Sequence, residues 1–331
     1  MEREDFLKRR EASVYQSRQK TDETTSACDG ERVPLEQARM EAEIFDAGSF
    51  VQPEGFGEEN LLVRGLDLNE IIGKIEWTPF FHFWGFTGKY PDIIYSSSQE
   101  EAAAAEELYE QALDRIAGAV LFKEVEASLV LAFYDAYAAV NPTTGEDELV
   151  LLKNVVTTHE QEMSGEAAAM LEKSRYDLSG REVAARIPVP RRQLKGSGYA
   201  SLAGCFPSGK QGEGEVKVSK TGVFVLKVED KLSGSLDSGS FEYLLRRSIC
   251  SRLAEALAGW MQETVCGEIH AVRAVFGEPG CPGHSLRRIA LDLTGAREKI
   301  GVSLAQDFER DPVTAVCGLL IAHPSAKNFD F

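Results

Sequence analysis

The chain has 331 residues, 43% hydrophobic and 27% charged, which suits a soluble globular protein of one large domain or two modest ones. A net charge of −17 argues against a nucleic-acid binder, because phosphate contacts need a clustered cationic surface. No apolar run approaches the roughly 20 residues that span a bilayer, and the charged start Met1–Lys20 lacks the apolar centre of a secretory signal, so a cytoplasmic protein is expected. Cys28, Cys205, Cys250, Cys266, Cys281 and Cys317 are scattered without a CxxC pair, so neither a disulfide framework nor a thioredoxin-like site is indicated.

In chain order, residues 1–48 read as one or two helices interrupted by the polar stretch Thr21–Glu31, the second with Pro34 in its first turn. The body begins near Leu61. Leu66, Leu68, Ile71, Ile72 and Ile75 have helical spacing and run into the aromatic segment Trp77–Trp84. The Ser98/Glu101 capping box and Gly118 predict a helix over Ser98–Gly118. Ser128–Phe133 and Leu149–Val156 have strand length and are separated by the turn residues Asn141–Gly145. His159–Lys173 reads as a polar helix. Val183–Val189, Tyr199–Phe206 and Val216–Val228 read as strands, the last bent at Thr221-Gly222.

Phe241, Leu245, Ile249, Leu253, Ala256 and Trp260 repeat at three-to-four spacing after a Ser240 cap and predict the longest helix. A strand over Ile269–Phe276, a loop over Gly277–Gly283, a helix over Ser285–Leu293 and strands over Val302–Phe308 and Val316–Ala322 complete the chain. Helices and strands mix without strict β-α-β alternation, which predicts an α+β fold with an antiparallel sheet. The organisation expected is a helical extension or arm over 1–52 and one domain over 53–331.

Five segments carry a family pattern. They are Ile75-Glu76-Trp77-Thr78-Pro79-Phe80-Phe81 with Trp84 and Gly88-Lys89-Tyr90-Pro91; Arg192-Gln193 leading to Tyr199-Ala200-Ser201-Leu202-Ala203; Arg252-Leu253-Ala254-Glu255-Ala256; the run Arg273 to His284 with its Gly277, Cys281-Pro282 and His284; and Gly318–Pro324. Together, over roughly residues 60–331, they resemble the activation domain of cobalamin-dependent methionine synthase. That resemblance implies a C-shaped single domain, with a central antiparallel sheet and flanking helices, that holds S-adenosylmethionine in a shallow groove. It implies support for reductive methylation of cobalamin, with an electron from a flavodoxin- or ferredoxin-like donor and the methyl group from adenosylmethionine. Cobalamin would come with a partner, a corrinoid-binding protein or methyltransferase. The chain would then be a component of a methyltransferase and not a complete one, with no catalytic residue or metal of its own.

The same resemblance places Glu76 and Glu255 at acidic ligand-binding positions, Arg273 on the ligand carboxylate and the Val275 backbone on the adenine. Gly277 would allow close approach to the main chain. The chain departs from the pattern where the family has tyrosines, at Glu278 and Leu320, both counted with the binding positions. Gly204 replaces an aspartate, and Glu76 is one methylene longer than the usual aspartate.

From the residues alone, Glu255 lies off the apolar stripe of its helix and is compatible with a solvated glutamate. Trp77, Phe80, Phe81 and Trp84 suit a core, and Arg273 could be an edge residue facing water. Cys266, His270, Cys281 and His284 have an irregular spacing for structural zinc. Two other functions stay open: a docking protein for a corrinoid methyltransferase with a decayed adenosylmethionine site, and a small-molecule enzyme using Glu76 and Glu278 as acid and base.

Overall fold

The computed structural model of the chain describes residues 3–14, 31–42, 52, 55–95, 98–153, 181–209, 217–278 and 280–326. The sheet is organised around β2 (Val125–Val140), whose apolar residues make it the most heavily paired strand. Along one side β2 pairs with β5 (Ser219–Asp230), in register from Val125↔Asp230 to Ala136↔Ser219. Its other side is divided between β1 (Leu61–Leu66) at Ala127–Leu131 and β3 (Asp147–Leu152) at Asp135–Val140. With β4 (Val183–Pro188), β6 (Ala271–Val275) and β9 (Val316–Ala322) the order is β4-β3-β2-β5-β9-β6, with β1 beside β2 and every pair antiparallel. The fold is therefore α+β with a central antiparallel sheet, as the mixed element pattern implies.

Alternation along the strands splits the core in two. One face, with Leu129, Leu131, Phe224, Leu226 and Leu320, packs against helices; the other, with Val223, Val225, Ala274, Leu319 and Ile321, packs against a second set. The first face is covered by α1 (residues 3–14), α3 (Asn69–Ile72), α4 (Trp77–Phe83), α5 (Gln99–Phe122) and α6 (Phe241–Cys266). A short α2 (Leu35–Met40) lies at the β3–β4 end. The second face carries a 3-10 turn at Leu202–Cys205, α7 (Leu286–Thr294) and α8 (Ala296–Ile300), followed by the two-residue strands β7 (Ser303–Leu304) and β8 (Arg310–Asp311).

The α6 helix starts where Ser240 Oγ accepts a hydrogen bond from the Tyr243 backbone N–H at 3.2 Å, satisfying one of the free donors of the first turn. Leu245, Leu253, Leu257 and Met261 are fully buried along it. Its position is fixed by charge as well. Arg246 donates to Glu242 at 2.8 Å and to Glu124 at 3.1 Å, while Arg115 of α5 donates to both oxygens of Glu242 at 2.7 and 2.9 Å. Half-buried, multiply bonded arginines of this kind hold geometry better than isolated surface pairs do.

The described parts of the N-terminal region pack on this body. Phe6 is fully buried, with ring centroids 6.3 Å from Trp84 and 5.6 Å from Phe241. Arg9 and Arg10 lie over the rings of Phe86 and Phe83 at 4.5 and 4.6 Å. Near α2, Arg39 donates to Asp147 at 2.7 Å and Val33 N–H donates to the Gln193 carbonyl at 2.9 Å.

Several sequence expectations need correction. Leu66 ends strand β1 instead of opening a helix, and the helix after it is only Asn69–Ile72. The capped α5 passes through Gly118 and stops at Phe122, where Lys123 turns left-handed at φ 53°. Tyr199–Phe206 is not a strand: Tyr199 sits at φ 50°, and Ser201 Oγ accepts from Ala203 N–H to start the 3-10 turn. β5 keeps continuous register through Thr221-Gly222, with no bend there. Only Ser303–Leu304 of the expected Val302–Phe308 strand is extended. The expected polar helix His159–Lys173 lies outside the described residues.

Two substitutions test this architecture. Phe6→Ala empties a fully enclosed ring site and is expected to lower unfolding free energy by about 3–5 kcal/mol, read from urea melts; an unchanged midpoint would mean that the first helix is not part of the core. In Gly318→Ala the new Cβ would lie 2.2 Å from the Ala274 carbonyl oxygen and 2.9 Å from Val275 Cα, so β6 must shift. A loss of about 1–3 kcal/mol is expected in the same assay.

Candidate functional site

At the outer edge of the sheet, β6 brings charge, free backbone groups and a tight turn together. Phe276 N–H donates to the Cys317 carbonyl and His323 N–H to the His270 carbonyl, so even-numbered residues of this strand face β9. By the alternation of an antiparallel ladder, the N–H groups of Arg273 and Val275 then point off the free edge. Gln262 Nε2 donates to the neighbouring Ala271 carbonyl at 2.9 Å, and Glu278 N–H donates to the Val275 carbonyl at 3.2 Å. The Arg273 and Val275 N–H groups have no such partner among the described residues.

Arg273 pairs with Leu320 across the strands, and its side chain lies on the α6 face of the sheet. There its Nη2 is 4.0 Å from Glu255 Oε2, while its Nη1 is buried with no hydrogen-bond partner. A Cβ at Gly259 would sit 3.7 Å from that Nη1, in ordinary van der Waals contact, so the guanidinium packs against the bare α6 backbone there. A buried cationic N–H without an acceptor is costly. Arginine's planar fork suits a bidentate carboxylate, which fits the chemistry expected of this residue.

After β6 the chain turns sharply. Gly277 N–H donates to the Cys281 carbonyl and Cys281 N–H to the Glu278 carbonyl, both at 2.9 Å. Gly277 has φ +95°, and an added Cβ would meet His284 Nδ1 at 2.6 Å and Arg287 Nη2 at 2.7 Å. The direction of a Cβ at this glycine is thus taken by the protein's own His284 and Arg287 side chains, and only glycine fits the turn. The turn presents Glu278 on the surface. Its carboxyl is pushed above the usual glutamate value by desolvation and by the Glu255 carboxylate, with Arg310 pulling the other way.

Glu76 and Arg252 complete the cluster. Glu76 occupies the residue before α4, extended and exposed, and is not enclosed by its aromatic neighbours. Burial lowers the Arg252 guanidinium below the usual arginine value, while Glu255 and Glu76 act to raise it. Arg252, Glu255 and Gly259 stand at i, i+3 and i+7 on α6, a spacing that puts them on one face and could have singled out Arg252 and Gly259 from sequence. The structure thus brings Glu76, Glu255, Arg273, Val275 and Glu278 to one region.

Leu320 is different. It is fully buried in the larger core and its carbonyl accepts from Thr221 Oγ1 at 3.1 Å, so its side chain offers no surface to a ligand and can only support Arg273 from below. Phe80, Phe81 and Trp84 are core residues, and Trp84 Nε1 donates to Ser248 Oγ at 3.3 Å. Cys281 is fully buried and its thiol is pushed up to about 12 by burial, which makes it a packing residue. Among the described residues no three His, Cys, Asp or Glu side chains gather as a metal-holding group, and no helix is long and apolar enough to cross a membrane.

Comparison with known proteins agrees with the fold. The chain is similar in structure to a crystal structure of the MetH reactivation domain bound to AdoHcy, with a TM-score of 0.70 and 20% identity over 90% of this chain and 89% of that one. The family model for the activation domain of vitamin B12-dependent methionine synthase matches residues 67–271 and 267–331, so the chain belongs to that family.

Proposed function

We propose that the chain binds S-adenosylmethionine along the free edge of β6 and supports reductive methylation of a corrinoid held by a partner protein. The observation that carries this reading is the acceptor-less Nη1 of Arg273, beside Glu255 at the free edge of β6. Adenosylmethionine offers what that position lacks, a carboxylate, together with an ammonium and a sulfonium for nearby acidic groups. In this arrangement Arg273 takes the carboxylate, Glu255 and Glu278 face the cationic part, and the outward N–H of Val275 meets the adenine. Glu76, with Arg252 beside it, adds acidic charge at the α4 side. Gly277 shapes the turn that carries Glu278, and Leu320 backs the guanidinium.

The corrinoid would arrive with the partner, accept the methyl group after one-electron reduction and leave adenosylhomocysteine behind. The task of this chain is to hold the donor in one orientation, which is the protein's usual share when a cofactor supplies the reactive chemistry. A flavodoxin- or ferredoxin-like protein would supply the electron.

Calorimetric titration tests the binding claim. Adenosylmethionine is expected to bind the wild-type chain, and Arg273→Ala to lose about 1.5–3 kcal/mol of that binding, the worth of hydrogen bonds to a charged group. Arg273→Lys should recover only part of it. If the folded wild-type chain takes up no ligand at millimolar concentration, the proposal is wrong, and a docking role on a corrinoid methyltransferase becomes the better account. For the partner claim, the chain mixed with a cob(II)alamin-loaded partner, reductant and adenosylmethionine should give the methylcobalamin absorption spectrum. The same mixture with Arg273→Ala should give it more slowly.

A further inference from the structure

Glu278 stands where the family pattern has a tyrosine, and the structure puts a second acidic group opposite it. Glu255 projects from α6 towards the Arg273 guanidinium at 4.0 Å, and Glu278 is held in the turn that closes directly after β6, its N–H bound to the Val275 carbonyl. The two carboxylates therefore border the same strand edge from the helix side and the turn side. Among the described residues neither Glu255 nor Glu278 has a hydrogen-bonded cation: Arg273 Nη2 lies at the outer limit of an ion pair with Glu255, and Arg310 acts on Glu278 through its field. A carboxylate at position 278 carries a full negative charge where an aromatic ring offers only its quadrupole, so it separates charged from uncharged ligands more strongly.

Resting on the adenosylmethionine reading above, we propose that Glu255 and Glu278 act as a charge-reading pair that makes the groove favour the sulfonium donor over its uncharged sulfide product. Adenosylmethionine carries one positive charge more than adenosylhomocysteine, and the two differ otherwise by a single methyl group. Methyl transfer removes that charge and leaves the two carboxylates only the ammonium of the product and the Arg273 guanidinium, 4.0 Å from Glu255. The spent donor is then held less tightly, which speeds its replacement. Two carboxylates near one cation bind it far more strongly than one, since each contributes its own Coulomb attraction. The charges that act on Glu278 are Glu255 and Arg310, and Arg287 in turn acts on Arg310. Mutual repulsion and desolvation already raise the Glu278 carboxyl. A bound cation favours its ionised form, so binding of adenosylmethionine releases a proton when the pH lies in the range where Glu278 titrates, and affinity falls as the pH is lowered through that range.

The test is the ratio of dissociation constants for adenosylhomocysteine and adenosylmethionine, measured by calorimetry for the wild-type chain, Glu278→Gln and Glu255→Gln. The wild-type ratio is expected to favour adenosylmethionine by about tenfold, and each substitution to cut the preference by about three- to tenfold, with adenosylhomocysteine affinity little changed. Proton release on adenosylmethionine binding, read from titrations in buffers of different ionisation enthalpy, should vanish in Glu278→Gln. Glu278→Tyr should keep both ligands with a weaker preference than the wild-type chain, which guards against a folding defect in either glutamine variant. If both ligands bind the wild-type chain and the ratio is the same in every variant, the charge-reading pair is wrong and the binding site stands. If neither ligand binds, the site itself is wrong and the pair falls with it.

Discussion

The close approach of β9 to β6 at Gly318 sets where the recognition groups sit. A side chain there would run into the Ala274 carbonyl, so only glycine lets β6 lie at ladder distance. That distance places Arg273 across from Leu320 and turns its side chain to the α6 face. It also leaves the N–H groups of Arg273 and Val275 on the outside, because the pairing of Phe276 with Cys317 fixes which groups point inward. A shift of one residue would turn Arg273 to the opposite face and exchange every outward donor. The glycine that carries no functional group thus decides the position of those that do.

The second constraint is α6. It is anchored at its first half by Arg246, Glu242, Glu124 and Arg115, and buried along its length under β5, β2 and β9. The strand edge and this helix face each other, and Glu255 meets Arg273 only because the rotation of α6 about its axis is fixed by Leu253, Leu257 and Met261 in the core. The site is built from two elements whose positions are set by packing some distance away. For a chain of net charge −17, the unusual feature is not the acidic groups around the site but a guanidinium held among them with a donor unspent.

Much of this was legible in the residues. The 3.6-residue apolar period located α6, and the continuous apolar run Val316–Ala322 gave β9 its bounds, since both elements are buried against the sheet core. The order of the motif segments pointed to the family and to Arg273, Glu255 and Glu278. What the residues could not show depends on three-dimensional register. β1 was missed because only alternate residues of an edge strand are covered, and its end merged with the helical spacing that follows. Tyr199–Phe206 has the apolar content of a strand, yet a left-handed tyrosine and a serine cap, both local backbone features, make it a turn. Leu320 fell on a binding position through the family resemblance, yet it is buried because it points into the core shared by the sheet and α6. The orphaned Nη1 of Arg273 has no signature in sequence at all.

The outward-facing groups of β6 carry a liability of their own. An unpaired strand edge is a template on which another chain can add a strand, and the outward N–H groups of Arg273 and Val275 leave this edge bare among the described residues. β6 is short, spanning only Ala271–Val275, and its border is lined by Arg273, Glu255 and Glu278. Charges of both signs along a short edge resist the lateral docking of a second sheet. The residues proposed to read a ligand therefore also charge the free strand edge, and neutralising them together is expected to leave it open to strand addition.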